Sequence, residues 1–184
     1  MNSIDSSGQK CIFTEQDRML LEDRAAGRLV QRMIQRAISY LYHYPSYTYG
    51  TGEGKLDCSQ FVYEVCTRYF ADFPDNSSDQ QFYALEHSSN WITAYSGNPE
   101  NRLSDWDFQV GDILFWSKNA SCRCIEKYHY DHCVRYHRIH HVGIYLGNGL
   151  IIDMGSSNNI SIRSIDSLYN SWVLCAVART IYNM

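Results

Sequence analysis

The chain has 184 residues, of which 45% are hydrophobic and 20% charged, with a formal charge of −4. The length fits one domain, and the composition excludes a disordered chain or a fibrous rod. The acidic balance argues against a nucleic-acid partner, and no uncharged apolar run approaches the roughly 20 residues of a membrane span.

Met1 to Gly8 lacks a basic region followed by an apolar core, so no Sec-type signal peptide is read there. The expectation is a protein made in the cytoplasm and exported by a specialised system to act in the periplasm or cell wall. Residues 1–13 read as a flexible arm. Residues 14–184 read as a single domain with an insertion at about 117–140.

The first predicted element is a helix from Thr14 to about Tyr42. Thr14 and Asp17 suit its N-terminus, and Gly27 is a point where it breaks. Ala26, Leu29, Val30, Met33, Ile34, Ala37, Ile38 and Leu41 form its apolar stripe. A Tyr- and Gly-rich connector follows. A second helix then carries Cys58, Phe61, Val62, Val65, Cys66 and Tyr69 on one face, with Asp57 and Gln60 as a capping box. Pro74 to Gln81 reads as a turn leading to a short helix through Leu85.

Strands dominate from there on. Ile113-Leu114-Phe115-Trp116 is a buried run, and His141 to Leu146 and Leu150 to Asp153 flank Gly147-Asn148-Gly149 as a hairpin. Ser161-Ile162-Arg163 and Trp172 to Arg179 add further strands. Helices first and strands later predict an α+β domain, with N-terminal helices packed on a central antiparallel sheet.

Cys58 is the strongest candidate for chemistry. A thiol in the first turn of a helix sits at the positive end of the helix dipole, which favours the nucleophilic thiolate. It needs a histidine partner and a third group to orient that ring. The hairpin decides whether His141 and Asp153 fill those roles. A two-residue Asn148-Gly149 turn pairs Ile144 with Asp153 and puts the two side chains on opposite faces. A three-residue loop pairs Leu146 with Leu150 and Gly143 with Asp153, and His141 and Asp153 then share a face as diagonal neighbours. The longer loop is the one expected. By residue type alone, the same cysteine and histidine also suit buried structural roles.

Local strings add a resemblance. Leu56-Asp57-Cys58-Ser59-Gln60-Phe61-Val62 resembles the Asp-Cys-Ser-Gly-hydrophobic motif of the NlpC family of papain-like peptidoglycan cysteine peptidases. His141-Val142-Gly143-Ile144-Tyr145-Leu146-Gly147-Asn148-Gly149 is similar to that family's histidine strand. Tyr47-Thr48-Tyr49-Gly50, Pro74 to Gln80 and Val110-Gly111-Asp112-Ile113-Leu114-Phe115-Trp116 resemble its flanking segments, in the family's order.

The resemblance implies a papain-like NlpC-type fold with Cys58 as nucleophile, His141 as base and acid, and Asp153 in the place of the usual second histidine. It implies amide hydrolysis in peptidoglycan stem peptides, commonly between γ-D-glutamate and diaminopimelate, through a thioester and without a cofactor. Asp57, Tyr47 and Ser59 are the substrate-binding positions it suggests. Gln60 departs from the usual glycine and adds bulk beside the nucleophile, and Asp75 stands where arginine is common. A small member of this kind resembles type VI secretion amidase effectors, which have an immunity protein as partner. A phage lysin or a murein-recycling enzyme fits the sequence nearly as well.

Two other readings stand beside this one: a thiol acyltransferase on the same fold, and a non-catalytic binding module stiffened by metal or disulfides. The insertion feeds the last of them. Cys122, Cys124, Cys133 and His129 or His132 suit zinc, although Cys-x-Cys is not a common zinc spacing. A disulfide or a plain solvated loop are its competitors. Cys66 and Cys175 lie in apolar patterns and read as core.

Overall fold

Six antiparallel strands form the central sheet of the computed structural model, which describes residues 2–4, 10–12, 27–43, 47–118, 133–169 and 172–183. In chain order, β1 (Asn2–Ile4) and β2 (Lys10–Ile12) pair antiparallel inside the segment expected to be a loose arm. Helix α1 spans Arg28–His43. The short strands β3 (Thr48–Tyr49) and β4 (Lys55–Leu56) pair in parallel, and α2 covers Cys58–Cys66 and α3 Ser78–Glu86. Then come β5 (Trp91–Tyr95), β6 (Ile113–Lys118), β7 (Ile139–Gly147), β8 (Leu150–Gly155), β9 (Asn159–Ser164) and β10 (Trp172–Thr180). The sheet order is β5-β10-β6-β7-β8-β9. This is the α+β arrangement of helices on an antiparallel sheet that the element order predicts.

Helix α1 begins immediately after Gly27, where a side-chain carbon would come within 2.7 Å of the Tyr182 carbonyl oxygen. The expected stretch from Thr14 to Ala26 lies outside the described residues. The apolar stripe of α1 is buried at Val30, Met33, Ile34, Ala37 and Ile38. Alternation along β6 splits the core in two. Ile113 and Phe115 join the helix-side cluster with Phe61 and Phe82, while Leu114 and Trp116 join a second cluster with Ile151, Leu168 and Val177. A fully buried Phe or Leu stabilises the fold by about 1.5–3 kcal/mol relative to exposure. Cys66 and Cys175 are both fully buried in the first cluster.

The β7–β8 hairpin corrects one expectation. Gly143 pairs with Asp153, Ile144 with Ile152 and Tyr145 with Ile151, as the longer loop requires. At the tip, however, Gly147 pairs with Leu150, so the turn itself is the two-residue Asn148-Gly149. Asn148 and Gly149 have φ of 51° and 72°, the left-handed pair such a turn needs. A one-residue register shift between Tyr145 and Gly147, with Gly147 at φ 89°, absorbs the difference. A bulge moves every residue beyond it to the other face, so the short turn still leaves His141 and Asp153 on the same side.

The strand β5 is not anticipated by the sequence pattern. It lies at the sheet edge against β10 and buries only Trp91. Both ends of the stretch expected as an insertion, about 117–140, lie in described elements. Ser117 and Lys118 complete β6, a short 3-10 turn covers Tyr136–Arg138, and Ile139 opens β7. Among the described residues, no helix is long and apolar enough to cross a membrane.

Candidate active site

Cross-strand register lines up four side chains. Trp116 on β6 pairs with His141, Gly143 pairs with Asp153, and Ile151 pairs with Arg163. Residues two apart share a face, so Trp116, His141, Asp153 and Arg163 step diagonally across β6, β7, β8 and β9 on one side of the sheet. His141 Nε2 lies 2.5 Å from Asp153 Oδ2. The carboxylate is fully buried and the imidazole is 5% exposed. The rings of Trp116 and Trp172 sit 5.6 and 5.5 Å from the imidazole, holding it between them.

The third group arrives on α2. Asp57 caps this helix: its Oδ1 accepts from the Gln60 backbone N–H at 2.8 Å, and the Gln60 side chain accepts from the Asp57 N–H at 3.2 Å. The reciprocal cap puts Cys58 in the first helical position, as the capping box predicts. It also accounts for Gln60, whose bulk turns back on the helix start. The Cys58 thiol is buried and donates to the His140 carbonyl at 3.9 Å, at the start of β7. The charge of its sulfur acts on the neighbouring His141 imidazole. With Nε2 given to Asp153, Nδ1 is the ring atom left for the sulfur.

Electrostatics follow from these contacts. Burial pulls His141 down, but the charge of Cys58 and the hydrogen bonds of Asp153 and Cys58 outweigh it and push it up to about 9. Burial pushes Asp153 up, while the bonds and charges of His141 and Arg163 hold it below the usual carboxylate range. Sulfur, imidazole and carboxylate thus form a chain in which the ring holds a proton at neutral pH. Such a chain equips a thiolate to attack a carbonyl and an imidazolium to protonate the leaving group.

The pattern of the NlpC/P60 family matches residues 45–179. The chain belongs to the NlpC/P60 family. A comparison with curated proteins returned no match. NlpC/P60 proteins are in general cysteine peptidases or amidases related to peptidoglycan, and the α+β architecture here agrees with their papain-like fold.

A cleft of ≈ 150 Å³ opens beside His141 in this NlpC/P60 chain, lined by Tyr49, His140, His141, Ser156, Arg163 and Trp172. Tyr49 is held there by its backbone N–H, which donates to Asn159 Oδ1 at 3.2 Å. Burial, then the negative charges of Cys58 and Asp57, push the Tyr49 hydroxyl up. Tyr47 points the other way, edge-on to Tyr40 at 6.4 Å and packed on the core. Ser59 is buried and gives its hydroxyl to Asp57 Oδ1 at 2.7 Å, so it steadies Asp57 from behind. Asp75 is exposed.

Three residues at the site escape sequence reasoning. Tyr49 and Trp172 line the cleft, and Arg163 reaches Asp153. Gln81, wholly buried, donates to the Ser59 carbonyl at 2.9 Å and so ties α3 to the first turn of α2. Gln81 shares its buried face with Ser78, Asp79, Phe82 and Leu85, so no polarity break marks it in the sequence.

Cys122, Cys124 and His129 of the suggested metal set lie outside the described residues. Cys133 has its sulfur 3.3 Å from His140 Nε2. Among the described residues, no three His, Cys, Asp or Glu side chains converge to hold a metal ion.

Proposed function

We propose that this protein is a cysteine hydrolase that cleaves amide bonds in peptidoglycan stem peptides, with Cys58, His141 and Asp153 as its triad. The observation that carries the reading is the 2.5 Å contact of His141 Nε2 with Asp153 Oδ2, with the buried Cys58 thiol at the start of α2 close enough for its charge to act on that ring.

In this reading the Cys58 thiolate attacks the scissile carbonyl. The first backbone N–H groups of α2, including that of Cys58, have no intrahelical acceptor and stabilise the oxyanion. His141 passes its proton to the departing amine, and water then resolves the thioester with His141 as base. Asp57 is half-buried next to the nucleophile, with both side-chain hydrogen bonds on Oδ1. Among the described residues Oδ2 takes none, which suits a substrate ammonium. A free amine next to the scissile bond belongs to stem peptides cut between γ-D-glutamate and diaminopimelate, and that bond is the one proposed.

Digestion of purified sacculi by the wild type and by Cys58→Ala, with fragments identified by mass spectrometry, tests the assignment. The wild type should release new stem-peptide termini and Cys58→Ala should not. An antibacterial role held in check by an immunity protein is part of the proposal. Directing the chain to the periplasm of a test bacterium should be toxic, and Cys58→Ala should relieve the toxicity.

A further inference from the structure

Asp153 has a second cation besides His141. Arg163 Nε lies 3.0 Å from Asp153 Oδ1 and 3.1 Å from Oδ2, and its Nη2 also contacts Oδ2. The same Nη2 is 3.4 Å from His141 Nε2 and faces the cleft. The guanidinium crosses over Gly155, where a side-chain carbon would sit 3.5 Å from Nη2. The side chain is only 16% exposed, so its charge is weakly screened.

Two cations therefore share one buried carboxylate. Among the described residues, the charged groups that face the His141 ring are Cys58 from α2, Asp153 from β8 and Arg163 from β9. From β6 and β10 the ring meets the uncharged faces of Trp116 and Trp172. A carboxylate alone at this range would bind the imidazolium tightly, and a histidine that holds its proton too firmly is a poor acid for the leaving amine. The guanidinium opposes this in two ways: it takes up part of the carboxylate's charge and adds a like charge beside the ring. Its planar fork also fixes which oxygen faces Nε2.

We propose that Arg163 is a positioning residue of the site: it orients the Asp153 carboxylate toward His141 and weakens the grip of the imidazole on its proton. This rests on the reading of Cys58, His141 and Asp153 as the reacting set, and adds a fourth member that acts through Asp153.

The test uses Arg163→Gln and Arg163→Lys in the full chain. His141 is titrated by NMR, and the pH dependence of Cys58 alkylation by iodoacetamide is followed. Neither readout needs a substrate. In Arg163→Gln the His141 titration should move up by about one unit, the scale set by removing a neighbouring charge. Sacculus hydrolysis should lose kcat by roughly tenfold or more, with KM little changed, and its alkaline limb should move up with His141. Arg163→Lys keeps the charge but not the fork, so the titration should stay near wild type while kcat falls. A folded Arg163→Gln whose His141 titration superimposes on the wild type overturns the proposal. If that variant fails to fold, Arg163→Lys decides, and equality with the wild type in kcat overturns it. A wild type that leaves sacculi intact while Arg163→Gln still shifts His141 would reject the substrate reading and keep this one.

Discussion

His140 and His141 are neighbours in the chain, and the fold drives their protons in opposite directions. Burial, together with Arg135 and Lys118, pulls His140 down to about 4. His141 rises to about 9, because Cys58 and Asp153 outweigh the pull of its own burial. His140 is the extra residue where the β6–β7 register shifts, and it meets Arg135 and Lys118 while His141 meets a thiol and a carboxylate.

The pair predicts a stability maximum near pH 6.5. Above that value the unfolded chain has released the His141 proton while the fold keeps it, so stability falls as pH rises from about 6.5 toward 9. Below it the unfolded chain gains a proton at His140 that the fold refuses, so stability falls as pH drops from about 6.5 toward 4. The stabilisation from Asp153, held below its ordinary range, persists until pH falls through the acidic range under 3.8. Urea unfolding from pH 4 to 9 should show both limbs. His141→Gln should flatten the alkaline one and His140→Gln the acid one.

Much of this site is legible in the sequence, for a definite reason. Period-two alternation and two glycines around Asn148 are enough to put His141 and Asp153 on one face. What escapes is the bulge: the extra residue Leu146 restores beyond it the pairing of the longer loop, so the two-residue turn leaves His141 and Asp153 where that loop would. Arg163 is hidden for a similar reason. Its diagonal position follows from the β8–β9 register, in which Gly155 pairs with Asn159, and nothing in Ser156-Ser157-Asn158 announces that loop length. Tyr47 precedes the two-residue strand that carries Tyr49, whose backbone N–H is tied to Asn159 of β9, so spacing does not say which tyrosine reaches the cleft. The edge strand β5 buries one residue in five and carries little periodic signal.

Gly143 stands opposite Asp153 because nothing larger fits. A side-chain carbon there would come within 3.0 Å of Asp153 Cβ and 3.2 Å of the Ile152 carbonyl oxygen. Overpacking of this kind costs about 1–3 kcal/mol. Since the backbone of β8 must give way, Asp153 shifts relative to His141, and a displacement near 1 Å costs about 10²-fold in rate. Gly143→Ala should therefore lose far more activity than stability, measured as kcat on sacculi against Tm.

Gln81 predicts a longer-range effect on the nucleophile. Its amide is the donor to the buried Ser59 carbonyl and also reaches the Pro74 carbonyl at 3.3 Å. Gln81→Met keeps the volume and removes both bonds, each worth about 0.5–1.5 kcal/mol. Tm should drop by roughly 2–10 °C in a domain of this size. The first turn of α2 should loosen as well, slowing Cys58 alkylation at fixed pH relative to wild type.

Asp112 supplies the contrast, because its motif lies in the same resemblance but its contacts are all structural. The carboxylate is fully buried and accepts from Arg179 Nε and Nη2 at 2.7 Å each, from Trp106 Nε1 at 2.9 Å and from the Gln109 backbone N–H at 3.0 Å. It thereby pins the segment before β6 to β10. Asp112→Ala removes four acceptor contacts and strands the mostly buried guanidinium of Arg179, a loss of about 3–5 kcal/mol. None of these partners touches Cys58, His141 or Asp153, so the folded fraction should keep the wild-type pH dependence of Cys58 alkylation while the urea midpoint falls. A shifted alkylation profile with an unchanged midpoint would instead tie Asp112 to the chemistry.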